Sequence, residues 1–225
     1  MVTTPHMSAN KLGEFMFATD AKKRSILKTL KFPSTFMNAR YTEAQSAFYH
    51  FMVDPDHNKA ILEKKRNQVA SKTADTDWKK GKKQCALEAI DHLLACTETI
   101  LVDYLKYVAE TNLIKEAYDA NISGVLLHLK PEILMVDKST HKVTGFIRLA
   151  FTKSRAVNLL EADVITSAIK DQVEKQFAVK LNPQQCLVLD VFKRRKFSAQ
   201  KFNQTNKLKI KMACNEIASM WPNIN

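Results

Sequence analysis

The sequence predicts a mixed α/β (α+β) protein, with a helical N-terminal part leading into an αβββαβ-type mixed sheet covered by helices. Before residue 120, apolar residues recur at intervals of three and four, the helical period. Beyond it, short β-branched and aromatic runs alternate with helical stretches. Composition agrees: four Gly and six Pro in 225 residues are too few for a turn-rich sandwich, a collagen or a low-complexity linker.

Leu12, Phe15 and Met16 begin a short helical pattern. Asp20 is placed to cap a helix from Ala21 to Leu30, which must stop before Pro33. Thr42 is the expected cap of Glu43 to Met52, ended by Asp54-Pro55, and Asn58 to Ser71 forms a third, strongly basic helix. With Asp77 as cap, the longest helix runs from Trp78 to about Glu110, because Leu87, Ile90, Leu94, Thr97, Leu101, Tyr104 and Val108 alternate at three and four. Gly124 to Leu129, Ile133 to Val136 and Val143 to Phe151 then read as three strands of a meander, with Asp137 to Lys142 as a polar turn. Asn158 and Glu161 form a capping box. The helix it opens buries Leu160, Val164, Ile165, Ala168, Ile169, Val173 and Phe177. The nearly all-apolar run Gln185 to Val191 is an interior strand, with Phe197 to Ala199 as a short partner. Leu208, Met212, Ile217, Met220 and Trp221 are the stripe of a last helix. Met1 to His6 read as a vector remnant, since His6-Met7 is a common cloning junction, and are set outside the fold. Residues 7–77 then form a helical N-terminal region and 78–225 the α/β core.

Charge points to a partner. Lys and Arg number 35 against 23 Asp and Glu, a net +12, a surplus that favours a polyanion such as DNA or RNA. No apolar run reaches the roughly eighteen residues of a membrane span. Cys85, Cys96, Cys186 and Cys214 are far apart in apolar segments, the pattern of reduced core cysteines in a cytoplasmic protein. Cys85, His92 and Cys96 fall near one helix face but lack the close-pair spacing of a zinc site. The sequence contains no nucleophile elbow, phosphate-cradling Gly loop or dinucleotide fingerprint.

The richest cationic stretch is Val191 to Asn215, which carries Lys193, Arg194, Arg195, Lys196, Lys201, Lys207, Lys209 and Lys211, with no acidic residue. Phe192, Phe197 and Phe202 interleave with the charges. A loop leaving a buried strand with four consecutive cations suits phosphates, whose condensed counterions it would release. The plainer reading is a solvated face, since Lys207 and Lys211 lie one helical turn apart. Two further clusters are Lys22, Lys23, Arg24, Lys28 and Lys31, and the lysines between Lys59 and Lys83.

The run Lys130-Pro131-Glu132-Ile133, followed by Gly145-Phe146-Ile147-Arg148-Leu149, resembles the signature of the PD-(D/E)XK nuclease superfamily over residues 83 to 192. In that family a Pro-Asp opens the second strand and an acidic-any-Lys triplet sits on the third. The resemblance implies Glu132 for the metal-binding Asp, with Phe146 at the second acid's position and Arg148 at the lysine's. A Phe cannot ligate magnesium, and Arg is too strongly protonated to act as a base. The resemblance leaves Glu161 and Glu88 as replacement carboxylates, Glu132 and Glu161 as magnesium ligands, and Arg148 or Lys153 as the catalytic cation. The chain is also similar to a set of uncharacterised bacterial proteins that start Leu-Gly-Glu-Phe and end Trp-Pro, here Leu12 to Phe15 and Trp221-Pro222.

The expected function is binding of nucleic acid by a degenerate, non-catalytic nuclease-like core without a cofactor. The resemblance alone places it as an accessory of phage defence or DNA processing. The phosphate-binding residues are Lys193, Arg194, Arg195, Lys196, Lys201, Lys207 and Lys211, joined by Lys22, Lys23 and Arg24 on the expectation that the C-terminal stretch and the basic N-terminal helices form one continuous positive surface beside the sheet. The alternatives are a magnesium-dependent nuclease and a protein-interaction subunit of a bacterial complex.

Overall fold

A computed structural model describes residues 2–33, 40–110, 118–200 and 204–225. Its elements are β1 (His6–Ser8), α1 (Ala9–Met16), α2 (Asp20–Lys31), α3 (Thr42–Val53), α4 (Ala60–Ser71), α5 (Asp77–Thr99), β2 (Tyr107–Ala109), β3 (Asp119–Ile122), β4 (Val125–His128), β5 (Ile133–Asp137), β6 (Val143–Ala150), α6 (Leu159–Phe177), β7 (Cys186–Asp190), β8 (Arg195–Ser198) and α7 (Gln204–Met220). The protein is therefore mixed α/β. A five-stranded sheet has the order β2-β5-β6-β7-β8. Its pairs are antiparallel except β6 and β7, which run parallel and are joined through α6.

Side chains alternate across this sheet, so each strand feeds two cores. Leu134, Val136, Cys186 and Val188 face one side, where Phe15 of α1, Leu27 of α2, Ile165 of α6 and Ile210 of α7 close over them. Ile133, Met135, Leu187 and Leu189 face the other, against Phe48 of α3, Leu62 of α4 and Ile90 and Leu93 of α5. All five residues of β7 are buried, as an interior strand requires. Helices from either side of residue 77 share these cores, so packing does not break there.

Several expectations need correction. The helix expected to reach Glu110 stops at Thr99; Ile100 and Leu101 both donate to the Cys96 carbonyl, at 3.1 and 3.0 Å, and a 3-10 turn over Val102–Tyr104 follows. The chain then extends into β2, which pairs with β5. The strand beside β5 is thus β2, not Gly124 to Leu129. The latter contributes β4 to a separate three-stranded sheet, ordered β1-β4-β3. There β1 lies parallel to β4, with His6 opposite Leu126. Setting the residues up to His6 outside the fold is also corrected for Val2–His6; Met1 lies outside the described residues. Val2 N–H donates to Lys31 O (2.9 Å), Leu126 N–H to Pro5 O (2.9 Å) and Trp221 Nε1–H to Thr3 O (3.1 Å).

Caps shift by one residue. Thr19 and Thr76, not Asp20 and Asp77, accept the N–H groups of Lys22 and Lys79, and each Asp occupies the first helical turn, where its charge suits the helix dipole. Thr42 is the first residue of α3, which has no side-chain cap. The Asn158–Glu161 capping box is present; it turns Glu161 inward and leaves Leu160 57% exposed. On α7 the buried set is Asn206, Ile210, Ala213, Cys214 and Ile217, whereas Leu208 and Met212 are 60% and 61% exposed.

One ion cluster sets the acid sensitivity of the α3–α4 contact. Glu43 on α3 meets Lys65 (2.7 Å) and Lys72 at the end of α4. Hydrogen bonds from Lys65 and then Lys72 pull its carboxyl down to about 2. A depressed carboxyl contributes stability that is present above its unfolded value and lost as pH falls through the folded one. Urea midpoints measured across that range should therefore drop between about 4.5 and about 2, and Glu43→Gln should flatten that segment. An equally steep drop in Glu43→Gln would refute the assignment.

Candidate nucleic-acid interface

Asp190, the last residue of β7, is fully buried. One of its oxygens accepts Val157 N–H (2.8 Å) from the lead into α6, and the other accepts Lys193 N–H (3.3 Å). This pins the following turn to the sheet. Arg194 N–H closes the turn on Val191 O (3.3 Å). Arg194 has φ 50°, left-handed backbone that a non-glycine residue adopts at a cost.

The four consecutive cations, Lys193 and Arg194 in this turn and Arg195 and Lys196 at the start of β8, are all exposed. Arg194 Nε donates to Nδ1 of His92 on α5 (3.1 Å). Lys196 Nζ donates to Ile100 O (2.8 Å) and lies 4.7 Å from the Tyr104 ring centre. Arg195 lies over Phe197 (5.2 Å), and Lys193 Nζ reaches Lys153 O (3.3 Å). Among the described residues none of these four side chains has a carboxylate within ion-pair distance. Burial, and then the Arg194 charge, hold the His92 imidazole below its ordinary value, so it stays neutral and can accept from Arg194.

Beside the turn lies a half-buried aromatic group. Phe192 packs against His92 (5.2 Å), Tyr41 (5.7 Å) and Phe151 (6.4 Å), while Tyr41 stacks on Phe151 at 4.6 Å. Lys153 Nζ sits 5.3 Å from the Phe192 ring centre and is paired with Glu88, whose hydrogen bond raises the lysine above its ordinary value.

The other predicted phosphate ligands are not gathered here. On α2, Lys22 pairs with Glu14 (3.4 Å) and Lys23 with Glu216 (2.7 Å), while Arg24 is exposed. On α7, Lys207 pairs with Asp171 (2.6 Å) and Lys211 is exposed. Both helices cover the sheet face opposite α5. Lys201 lies outside the described residues. On and beside α4 and α5, Lys59 pairs with Glu98 (2.9 Å), Arg66 with Asp91 (2.5 Å) and Lys79 with Asp75 (2.7 Å). The basic clusters are thus spread over both faces, with acids among them.

The predicted metal-binding carboxylates are also kept apart, each with its own cation. Glu132 pairs with Arg148 (2.9 Å), Glu161 with Arg155 (2.6 Å) and Glu88 with Lys153. Glu132 Oε1 takes Arg148 and Gln45 Nε2 (3.3 Å), and Oε2 takes Leu149 N–H (2.8 Å). Phe146 points into the core at 0% exposure. Glu161 is 5% exposed and committed to its helix cap. Among the described residues no three His, Cys, Asp or Glu side chains converge as metal ligands. This donor set does not fit a magnesium ion. Cys96 is buried at 0% exposure, while His92 turns to Arg194. Burial pushes the thiols of Cys96 and Cys214 up to about 11 and that of Cys186 to about 12.

Sequence reasoning missed Asp190 and Asn10. Asp190 looked like the end of an apolar strand. Asn10 donates to Leu149 O (2.9 Å) and accepts from Arg148 Nε (3.1 Å), pairings no local spacing signals. No protein-family model matches this sequence, and no curated protein matches it significantly. No helix among the described residues is long and apolar enough to cross a membrane.

Proposed function

We propose that this protein binds the phosphate backbone of nucleic acid through the β7–β8 turn, on a nuclease-like scaffold that does not cut. The observation that carries the reading is the four exposed, consecutive cations Lys193, Arg194, Arg195 and Lys196, none neutralised by a carboxylate among the described residues, on a turn fixed by buried Asp190. Lys22, Lys23 and Lys207, by contrast, all have acidic partners. Fixed cations without counter-charges gain from phosphates by releasing condensed counterions. An arginine held in left-handed backbone, where Gly or Asn would sit without strain, is a local cost of the kind found at functional sites. Half-buried Phe192 and Phe151 border the turn and offer ring surface to bases. The scaffold reading rests on the large sheet, whose strands β2, β5, β6 and β7 follow α5 in that order with α6 between β6 and β7; the β3–β4 hairpin is inserted between β2 and β5 and joins the other sheet. The non-catalytic reading rests on Phe146 standing where an acid is needed and on the committed oxygens of Glu132.

Gel-shift titrations of single-stranded and duplex DNA and RNA across salt concentrations test this. The affinity should fall with rising salt. Arg194→Glu with Arg195→Glu should weaken binding about tenfold or more and flatten the salt dependence by about one to two contacts. Arg194→Gly should weaken binding while leaving the urea midpoint undiminished, because relief of backbone strain offsets the lost His92 contact. Undetectable affinity at low salt, or full affinity in the double reversal, would overturn the proposal. Cleavage in magnesium or manganese that Glu132→Ala abolishes would overturn its non-catalytic part.

A further inference from the structure

Away from that turn, on the opposite side of the large sheet, a cleft of about 300 Å³ opens between the small sheet and helices α6 and α7. Its apolar wall is Ile122 on β3, Leu127 on β4 and Ile210 on α7. The space exists because Ala120 on β3 and Ala168 on α6 are small where larger side chains would fill it. The polar rim is strongly biased in charge. Lys175, Lys207 and Lys211 line it, with Asp171 as the one carboxylate among the described lining residues. Asp171 bridges Lys175 (2.7 Å) and Lys207 (2.6 Å). Burial works to raise its carboxyl, but those two hydrogen bonds hold it below its usual value, so it stays ionised and the described rim residues carry three lysines against one carboxylate. Deeper in, the buried Asn206 amide is fixed by Asp163 (2.7 Å) and Ser167 (3.0 Å), which keeps the mouth of α7 in place.

A concave apolar site of this size with a few converging charges is the usual form of a small-molecule site. From this geometry we infer that the cleft binds a small organic anion with an apolar body, the carboxylate meeting Lys211 and Lys175 and the chain lying along Ile122, Leu127 and Ile210. A nucleic-acid strand fits it poorly, because the rim charges surround an apolar floor and not a groove that tracks a backbone. The site is independent of the proposed phosphate contact.

Isothermal titration of the full chain with decanoate tests the assignment, with decyltrimethylammonium as the same chain bearing the opposite charge. Decanoate should bind at one site, and the cation at least about tenfold more weakly. Ala120→Phe should abolish decanoate binding by filling the cleft, with circular dichroism checking the fold. Lys211→Glu, an exposed change that cannot disturb packing, should weaken decanoate about tenfold and narrow the preference over the cation. Equal binding of both amphiphiles, no saturable decanoate binding, or undiminished affinity in Lys211→Glu would overturn the inference.

Discussion

Replacing Gly145 with alanine is expected to destabilise the protein by about 3 kcal/mol or more, among the largest effects of any single methyl group here. A Cβ at this position would lie 2.1 Å from the carbonyl oxygen of Gln185 and 2.7 Å from its carbonyl carbon. Both are backbone atoms, so no side-chain rotation relieves the clash. Nor can the strands separate freely. Gly145 sits in β6, whose next residue, Phe146, is in register with Cys186 of β7. The 3-10 turn Pro183–Gln185 is further tied down by Tyr104, whose hydroxyl donates to Gln184 O (3.1 Å), and by Gln185, which bonds the Tyr107 hydroxyl. Relief must break the central parallel pair or lift β2 and its lead-in. Gly81 is the built-in control: an added Cβ there meets nothing within 4 Å in the exposed first half of α5. Gly81→Ala should stabilise by about 0.5–1 kcal/mol, the ordinary gain of alanine over glycine in a helix. Urea unfolding of both variants checks the pair. A Gly145→Ala midpoint equal to the parent's would refute the close approach.

Gly145 also marks what sequence can and cannot convey. Its place in the run Gly145-Phe146-Ile147-Arg148-Leu149 drew attention to a motif, yet the reason for the glycine lies forty residues away in the chain. Local chemistry was legible where it is local. Asn158 and Glu161 cap each other across three residues, and the apolar run of β7 has no polar face because both faces are covered. The end of α5 was not. Leu101, Tyr104 and Val108 continue the three-four spacing, but Tyr107 and Ala109 are the buried pair of β2, and a short apolar run fits either period. On α7 two apolar sets compete, and the burial of Ile210, Ala213, Cys214 and Ile217 in the core, with Asn206 held by Asp163 and Ser167, turns Leu208 and Met212 outward. For the candidate site, the four adjacent cations are legible in the sequence, since adjacency survives folding. It cannot distribute the remaining lysines, whose partners Glu14, Glu216 and Asp171 are set by tertiary structure.

Arg148→Met should cost about 3 kcal/mol at neutral pH, because it strands a charge in the interior and not because it removes a catalytic group. The side chains of Glu132 and Arg148 are only 13% and 15% exposed. Their role follows from Pro131. With Ile133 opposite Ile147, the position facing Leu149 is Pro131, which has no N–H to give. Leu149 instead donates to Glu132 and accepts from Asn10, so side chains finish what the ladder cannot. Arg148 completes the knot by donating to Glu132, Asn10 and Lys130 O (2.8 Å). Burial raises the Glu132 carboxyl above its usual range, with Arg148 and the Leu149 N–H pulling against it. Removing Arg148 removes the larger of those opposing pulls and raises the carboxyl further. A carboxyl raised in the folded state favours folding below its unfolded value, and that advantage is lost as pH rises through the folded one. The deficit of Arg148→Met should therefore be small in acid and grow towards neutrality. Adding Glu132→Gln should recover most of it, since no unpaired charge is then left behind, giving a coupling of about 1–3 kcal/mol in the double-mutant cycle. A catalytic pair whose groups were free to engage a metal would show neither the pH-dependent deficit nor the recovery, and Arg148→Met as stable as the parent at neutral pH would return Glu132 to the list of candidate ligands.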